Sequence, residues 1–294
     1  MQKQIVQYIA LTKPRIILLV LVTAYLGYYL GLRSQNYHMN NFDSWIMLFY
    51  LLIGTWATSA CAAVLNQVIE VSQDSEMKRT QNRPLVKGKI EIFPAIIFGL
   101  FLGVGGFLFL LIFVNELTAF LSLLTVFLYV FIYTPSKRIT TWNTIIGSIP
   151  GALPPVGGWV AATGSFSAPA WILFGILFCW QMPHFLAIAI IYSTDYEKGG
   201  FKMLPTIYPE SRRTSYVIMF FTIALLITSL GLYIIKIAGI FYAISAAILG
   251  TAFFIIALQV IFNSSKKNAR RLMFASIIYL PLLLIIILIE RFIN

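Results

Sequence analysis

Asn66, Glu70 and Asp74 recur at every fourth residue, so on a helix their side chains would line one face. Arg79 and Arg83 follow, again four apart, before Pro84 ends the helical pattern. Carboxylates and an amide oxygen are hard ligands that suit Mg2+, and the forked guanidiniums of arginine suit phosphate oxygens. The combination fits a metal-bridged diphosphate. Asn66 and Glu70 fall where a long apolar run ends, and polar groups at a membrane boundary are costly unless they are used.

A second group of the same kind follows a later apolar run. Asp195 is succeeded by Lys198 and Lys202. Two acid-plus-cation units on one membrane face could hold a single diphosphate through bridging metals. Between them lie Tyr133, Lys137 and Arg138, which suit phosphate contact and equally suit the ordinary basic and aromatic fringe of a membrane protein. His184 stands inside an apolar run, in Trp180-Gln181-Met182-Pro183-His184-Phe185. An intramembrane histidine is a candidate functional residue; iron ligation, proton transfer and a bond to a neighbouring helix all remain open for it. His38 reads as a solvated loop residue. Cys61 and Cys179 lie in separate apolar runs without metal-ligand spacing and read as small core residues.

The elements that must position these groups are membrane spans. Of 294 residues, 60% are hydrophobic and 11% charged, with mean hydropathy +0.87. A soluble domain is roughly 45–50% apolar and about 25% charged. About nine runs are long and apolar enough to cross a bilayer, near 15–32, 45–65, 92–113, 117–134, 143–162, 169–192, 215–236, 238–262 and 271–291. The net charge of +11 is spread over short connections and not gathered in one patch, which excludes a nucleic-acid surface. With the N-terminus cytoplasmic and the C-terminus outside, every one of the 21 Lys and Arg residues except Arg33, Lys236 and Arg291 falls in an inner segment. Thr12–Arg15 interrupts any cleavable signal pattern, so the first run reads as a retained span, and a bacterial plasma membrane is the expected location.

The longest inner connections, 66–91 and 193–214, hold Glu70, Asp74, Glu76, Glu91, Asp195, Glu197 and Glu210, most of the chain's 10 acids. Long loops in a compact protein carry function. They follow the second and sixth spans, so the expected fold is an all-α polytopic membrane protein. Two four-helix halves would surround a central cavity, with a last helix added, and residues 1–294 would form one domain. The glycine and proline cluster at 147–158 predicts a broken or kinked helix. The pairs Gly99–Gly103 and Gly147–Gly151 have the small-xxx-small spacing of helix packing.

Several stretches together resemble a known family. Asn66-x-x-x-Glu70-x-x-x-Asp74, followed by Met77-Lys78-Arg79-Thr80-x-x-Arg83-Pro84-Leu85, is similar to the first motif of the UbiA-type intramembrane prenyltransferases. The stretches Gly151-Ala-x-Pro154-Pro155-x-x-Gly158-Trp159, Trp180-Gln181-x-Pro183-His184-Phe185 and Asp195-Tyr196-x-x-x-Gly200-x-x-Met203-Leu204-Pro205 resemble the heme-modifying branch of that family, the protoheme IX farnesyltransferases. The resemblance runs from about Thr12 to Pro205.

It implies transfer of a farnesyl group from farnesyl diphosphate to a vinyl group of heme b, giving heme O, with Mg2+ as cofactor. It further implies Asn66, Glu70, Asp74 and Asp195 as metal-binding catalytic residues. Arg79, Arg83, Lys137, Arg138, Lys198, Lys202 and Tyr133 would contact the diphosphate, and His184 the heme. The lipid bilayer surrounds such an enzyme, and a heme A synthase or terminal oxidase is the downstream partner implied. The family's second motif commonly carries two acids four apart, whereas position 199 here is Gly. Prenylation of another aromatic acceptor, such as a quinone precursor, and transport of an anionic lipid are the competing expectations.

Overall fold

The computed structural model describes residues 2–37, 39 and 41–293, and side chains from residue 4 to residue 290 within that range; His38 lies outside the described residues. The chain forms α1 (Gln2–Leu11), α2 (Pro14–Ser34), α3 (Phe42–Ile69), α4 (Val71–Glu76), α5 (Ile92–Phe113) and α6 (Glu116–Phe127). A π-helical turn (Leu128–Tyr133) then leads into α7 (Thr134–Ile139), α8 (Asn143–Ala152) and α9 (Pro154–Thr163). Next come α10 (Ala168–Ile191), α11 (Ser193–Lys198), α12 (Leu204–Ile207), α13 (Arg213–Ile234), α14 (Ile240–Phe262) and α15 (Lys266–Ile293). Among the described residues, nine helical segments are long and apolar enough to cross a membrane. They match the expected runs, with the fourth extended to Ile139 and the fifth built from α8 and α9.

In the first half α3 packs on α5 and α2, and α6 lies against α5. In the second half α10 packs on α8 and α13, and α13 on α14. The last helix, α15, lies against both α14 and α10. Large apolar side chains such as Leu18, Phe93, Phe101, Ile112, Phe131, Phe220 and Ile248 face outward, as expected where the surroundings are lipid. There the hydrophobic effect does not drive helices together, and close packing through small residues does.

Glycines join the halves. The α2–α9 contact is among the most extensive in the protein, and its helices meet backbone to backbone. A Cβ at Gly158 would stand 1.9 Å from the Ala24 carbonyl oxygen, and one at Gly27 would stand 1.9 Å from the Pro155 carbonyl oxygen. Neither neighbour is a side chain that can swing away. Gly158→Ala is therefore expected to destabilise the protein by about 3 kcal/mol, the upper end of overpacking effects, read as a lower thermal midpoint in detergent. That contact holds the C-terminal half of α2; the chain just before its N-terminal end is tied to α3, where Gln67 Nε2 donates to the Leu11 carbonyl at 2.6 Å.

The Gly/Pro cluster interrupts the helix at Leu153, between α8 and α9. Pro154 and Pro155 have no N–H to donate to the preceding turn, and Leu153 N instead reaches the Pro150 carbonyl at 3.4 Å. The small-residue pairs do pack. Gly99 and Gly103 admit Val64 and Cys61 of α3, while Gly147 and Gly151 lie under the Tyr133 ring and the Gln181 side chain. Both cysteines are free and buried.

Candidate active site

The acidic face spans the end of α3 and all of α4. Glu70 marks the junction, with φ −100° and ψ 10°, yet the backbone ladder runs on across it. Glu70 N donates to the Asn66 carbonyl at 3.0 Å and Asp74 N to the Glu70 carbonyl at 2.8 Å. The fourfold spacing therefore keeps Asn66, Glu70 and Asp74 on one face, and they are 1%, 4% and 1% exposed. Acidic groups this buried need partners.

Three cations supply them. Lys137 Nζ bonds Glu70 Oε1 at 2.8 Å, and Arg83 Nη1 pairs with Asp74 Oδ2. Lys13 Nζ donates to Asn66 Oδ1 at 2.9 Å. The other Asp74 oxygen, Oδ1, is buried with no hydrogen-bond partner among the described residues. Burial pushes the Asp74 carboxyl above its usual range, against the opposing pull of Arg83. Burial, reinforced by Arg83 and Lys137, lowers the Lys13 ammonium to about 7.

Spacing alone does not single out Lys13, which stands 53 positions before Asn66. Its backbone carries a signal of its own. It is left-handed, with φ 53° and ψ 60°, a conformation costly for a residue with a Cβ. Pro14 follows directly and disfavours the right-handed helical alternative for Lys13. Strain of this kind persists where the surrounding structure holds it in place.

Lys137 is positioned by the π turn. Pro135 cannot donate to the carbonyl of residue 131, and the helix widens over Leu128–Tyr133, a distortion frequent at functional sites. Thr134 Oγ1 donates to the Tyr129 carbonyl at 2.8 Å and accepts from Asn66 Nδ2 at 3.1 Å. Lys137 Nζ then lies 4.6 Å from the centroid of the Tyr133 ring, and Gly147 leaves the room that ring occupies.

Arg79 and Arg83 are not on a helix, contrary to the expectation from their spacing. α4 stops at Glu76, and Thr80 turns the chain by bonding back to the carbonyls of Met77 (3.0 Å, backbone) and Asp74 (2.9 Å, hydroxyl). That turn swings Arg83 back onto Asp74. It also sends Arg79 to the second connection, where its backbone N–H donates to Asp195 Oδ2 at 3.3 Å and its guanidinium lies 5.6 and 5.5 Å from the Tyr192 and Tyr196 ring centroids. The turn carrying the arginines thus bonds both Asp74 and Asp195, from the same end of the bundle.

The second connection is tied down by its backbone. Lys202 N donates to the Lys137 carbonyl at 2.7 Å, and Asn143 Nδ2 donates to the Lys202 carbonyl at 2.8 Å. Gly200 adopts φ +68°, which only glycine takes without strain. Gly199 is buried against the Met77 thioether, 3.2 Å from where its Cβ would be. An acid here would enter the cluster of Met77, Phe201 and Met203, which accounts for glycine at this place. Arg138, Lys198 and Lys202 are exposed, and among the described residues no ion pair joins them to the acidic face. His184 lies apart from that face, bonded to α15.

The profile of the UbiA prenyltransferase family matches residues 15–278. A protein of Solibacter usitatus named protoheme IX farnesyltransferase is 39% identical over 287 residues, covering 97% of this chain and 98% of that one. The fold is similar to a solved structure of digeranylgeranylglyceryl phosphate synthase, with TM-score 0.79 at 20% identity and 98% of each chain covered. It is also similar to a UbiA homologue from Archaeoglobus fulgidus bound to GPP and Mg2+, with TM-score 0.66 at 15% identity, covering 96% of this chain and 99% of that one. The sequence match spans most of the membrane region, and the shared architecture agrees with it: this chain is a multi-pass membrane protein that belongs to the UbiA prenyltransferase family.

Proposed function

We propose that the chain, acting as one domain, transfers the farnesyl group of farnesyl diphosphate to a vinyl group of heme b, with addition of water, giving heme O. The observation that carries this reading is the near full-length likeness to the Solibacter usitatus farnesyltransferase. The geometry supports it: a buried face of carboxylates and an amide meets lysines and arginines from different segments, as a diphosphate and its counter-ions require.

The oxygen set fits Mg2+. No three described His, Cys, Asp or Glu side chains converge as a metal cage, but Mg2+ is ordinarily held by one or two carboxylates completed by substrate phosphates and water. Asp74 Oδ1 is buried without a hydrogen-bond partner among the described residues, on the same face as the Asn66 amide and the Glu70 carboxylate. Asn66, Glu70 and Asp74 would hold the ion, with Asp195 serving a second. Bound there, Mg2+ would neutralise the diphosphate and make it a better leaving group.

Lys13, Arg79, Arg83 and Lys137 bind the diphosphate oxygens, and the charge on them grows as the bond to C1 of the farnesyl chain lengthens. Arg138, Lys198 and Lys202, exposed around the site, attract the anionic substrate. Tyr133, whose ring lies 4.6 Å from the Lys137 ammonium, would contact the diphosphate beside it. The terminal vinyl carbon bonds to farnesyl C1, water adds through oxygen to the adjacent carbon, and one proton of that water is released with the diphosphate. Apolar walls keep other water from the cation.

Incubation with heme b, farnesyl diphosphate and Mg2+, followed by mass analysis of the extracted heme, is expected to show heme b plus one farnesyl group and one hydroxyl. Unchanged heme with prenylation of a quinone precursor would replace the acceptor. Binding or flux without diphosphate release would replace the enzyme by a transporter.

The reading includes a bacterial plasma membrane with the N-terminus cytoplasmic and the C-terminus outside, from the distribution of Lys and Arg. A downstream heme A synthase or terminal oxidase would take up the product. In intact cells, Lys198→Cys is expected to resist a membrane-impermeant thiol reagent and Ser165→Cys to react; the opposite pattern would invert the topology.

A further inference from the structure

Deeper in the membrane-spanning part of the bundle, six hydroxyl residues surround one small cavity. Thr55, Thr58 and Ser59 of α3 and Thr118, Ser122 and Thr125 of α6 line it, together with the α8–α9 interruption. Its volume is about 30 Å3, enough for a water molecule. Polar groups gathered at this depth are costly unless they are used. Four of the hydroxyls already donate to backbone carbonyls: Thr58 to Gly54 at 3.1 Å, Thr118 to Gly157 at 3.5 Å, Ser122 to Ala119 at 2.8 Å and Thr125 to Leu121 at 2.7 Å. A hydroxyl has one proton and two lone pairs, so what these four offer the cavity is acceptors.

The cavity stands on the helix faces that carry the acidic site. Thr58, Ala62, Asn66 and Glu70 recur at every fourth residue of one continuous backbone ladder, and all four are buried. Thr58 therefore lies about 12 Å along α3 from Asn66, and Thr55 about 17 Å. On the facing helix Thr125, Tyr129, Tyr133 and Lys137 keep the same interval. The two tyrosine rings are 5.2 Å apart between centroids, and Lys137 Nζ lies 4.6 Å from the second. Bonds from Lys137 to Glu70 and from Asn66 to Thr134 pin the two faces together at the site. A chain whose diphosphate is held at Glu70 and Asp74, and which runs inward between these faces, meets the hydroxyls at roughly the reach of an extended farnesyl group.

We propose that this cavity is the floor of the isoprenoid channel, and that Thr58 and Thr125 set donor length by holding water where the end of a longer chain would have to lie. The proposal rests on the reading that farnesyl diphosphate is the donor and adds what limits its length. A farnesyl chain ends short of the hydroxyls and leaves their water in place. A fourth isoprene unit would displace that water and put methyl groups against lone pairs. Acceptors stripped of water and given no donor carry the full desolvation cost of the group. A polar site left unpaired rejects a ligand more strongly than a mismatch of one methylene in an apolar pocket. An apolar floor of the same shape would lack this barrier.

The test compares geranyl, farnesyl and geranylgeranyl diphosphates as donors to heme b, with kcat/KM read from product mass and the thermal midpoint as folding control. Wild type is expected to prefer farnesyl over geranylgeranyl diphosphate by about tenfold or more, the scale of one buried acceptor left unpaired. Thr58→Val and Thr125→Val keep the shape and remove an acceptor. Each is expected to raise the geranylgeranyl-to-farnesyl ratio about tenfold on the same scale, whereas Thr58→Ser, which keeps the hydroxyl, is expected to return it to the wild-type value. Ser122→Leu fills the floor and is expected to shift preference toward geranyl diphosphate. A ratio unmoved in folded Thr58→Val and Thr125→Val, or wild type that uses the two longer donors equally, would overturn the proposal. Farnesyl transfer by wild type with unmoved ratios removes the floor and keeps the donor. Wild type that transfers from none of the three donors removes both.

Discussion

Asp74→Asn is expected to lower diphosphate release and heme O formation by about 10²–10³-fold or more, the scale of losing one preorganised group that stabilises a developing anion, because Asp74 would hold the ion that neutralises the diphosphate. Asp74 is 1% exposed, one of its oxygens is held by Arg83, and the other has no hydrogen-bond partner among the described residues. Asparagine keeps the shape and one acceptor oxygen, but it removes the charge and places an amide either toward Arg83 or on the side of Oδ1. The loss should therefore fall on turnover. Glu70→Gln should behave alike, and chelation of Mg2+ should silence wild type reversibly. The measurements are product mass and released diphosphate, with elution volume and thermal midpoint as folding controls. Near-wild-type turnover by both folded variants would end the metal assignment.

Lys137→Met is expected to give the second large effect, this time on stability. The Lys137 and Glu70 side chains are 13% and 6% exposed, so methionine would leave a buried carboxylate without its counter-charge. Removing one member of a buried pair costs about 3–5 kcal/mol. Glu70→Gln should cost less, because it removes the charge that needs compensation. The decisive comparison adds Mg2+. If the acidic face takes the ion, Mg2+ should recover much of the Lys137→Met thermal midpoint while shifting wild type far less. A midpoint unmoved by Mg2+ in the variant would mean that Glu70 is not a ligand.

These two outcomes and the Gly158→Ala result probe different levels. The carboxylates test chemistry, Lys137 tests how the buried acidic face is kept folded, and Gly158 tests the helix contact that seats α2, next to whose first residue Lys13 stands.

Much of the architecture was legible in the sequence because its signals are local. Twenty apolar residues in a row mark a span whatever surrounds them, and all nine expected runs are helical segments of sufficient length. The fourfold recurrence of Asn66, Glu70 and Asp74 needed only helix geometry, and it survived the junction at Glu70 because the backbone ladder continues there. Pro154 and Pro155 announced the interruption at Leu153 by lacking donors.

What tertiary structure alone decided is which groups meet. Lys13 bonds Asn66 across 53 positions and Lys137 bonds Glu70 across 67, and no local pattern encodes such pairings. The helical spacing of Arg79 and Arg83 misled for the same reason. A buried carboxylate and the Thr80 turn outweighed local periodicity and folded that segment back on Asp74. For His184 the sequence supplied a polar ring in an apolar helix and a motif that resembles the family's. Its bond to Ser276 was set by packing α15 against α10. A chain in lipid states its spans one residue type at a time, whereas its site is made by the few polar side chains that must find one another because the membrane offers them no water.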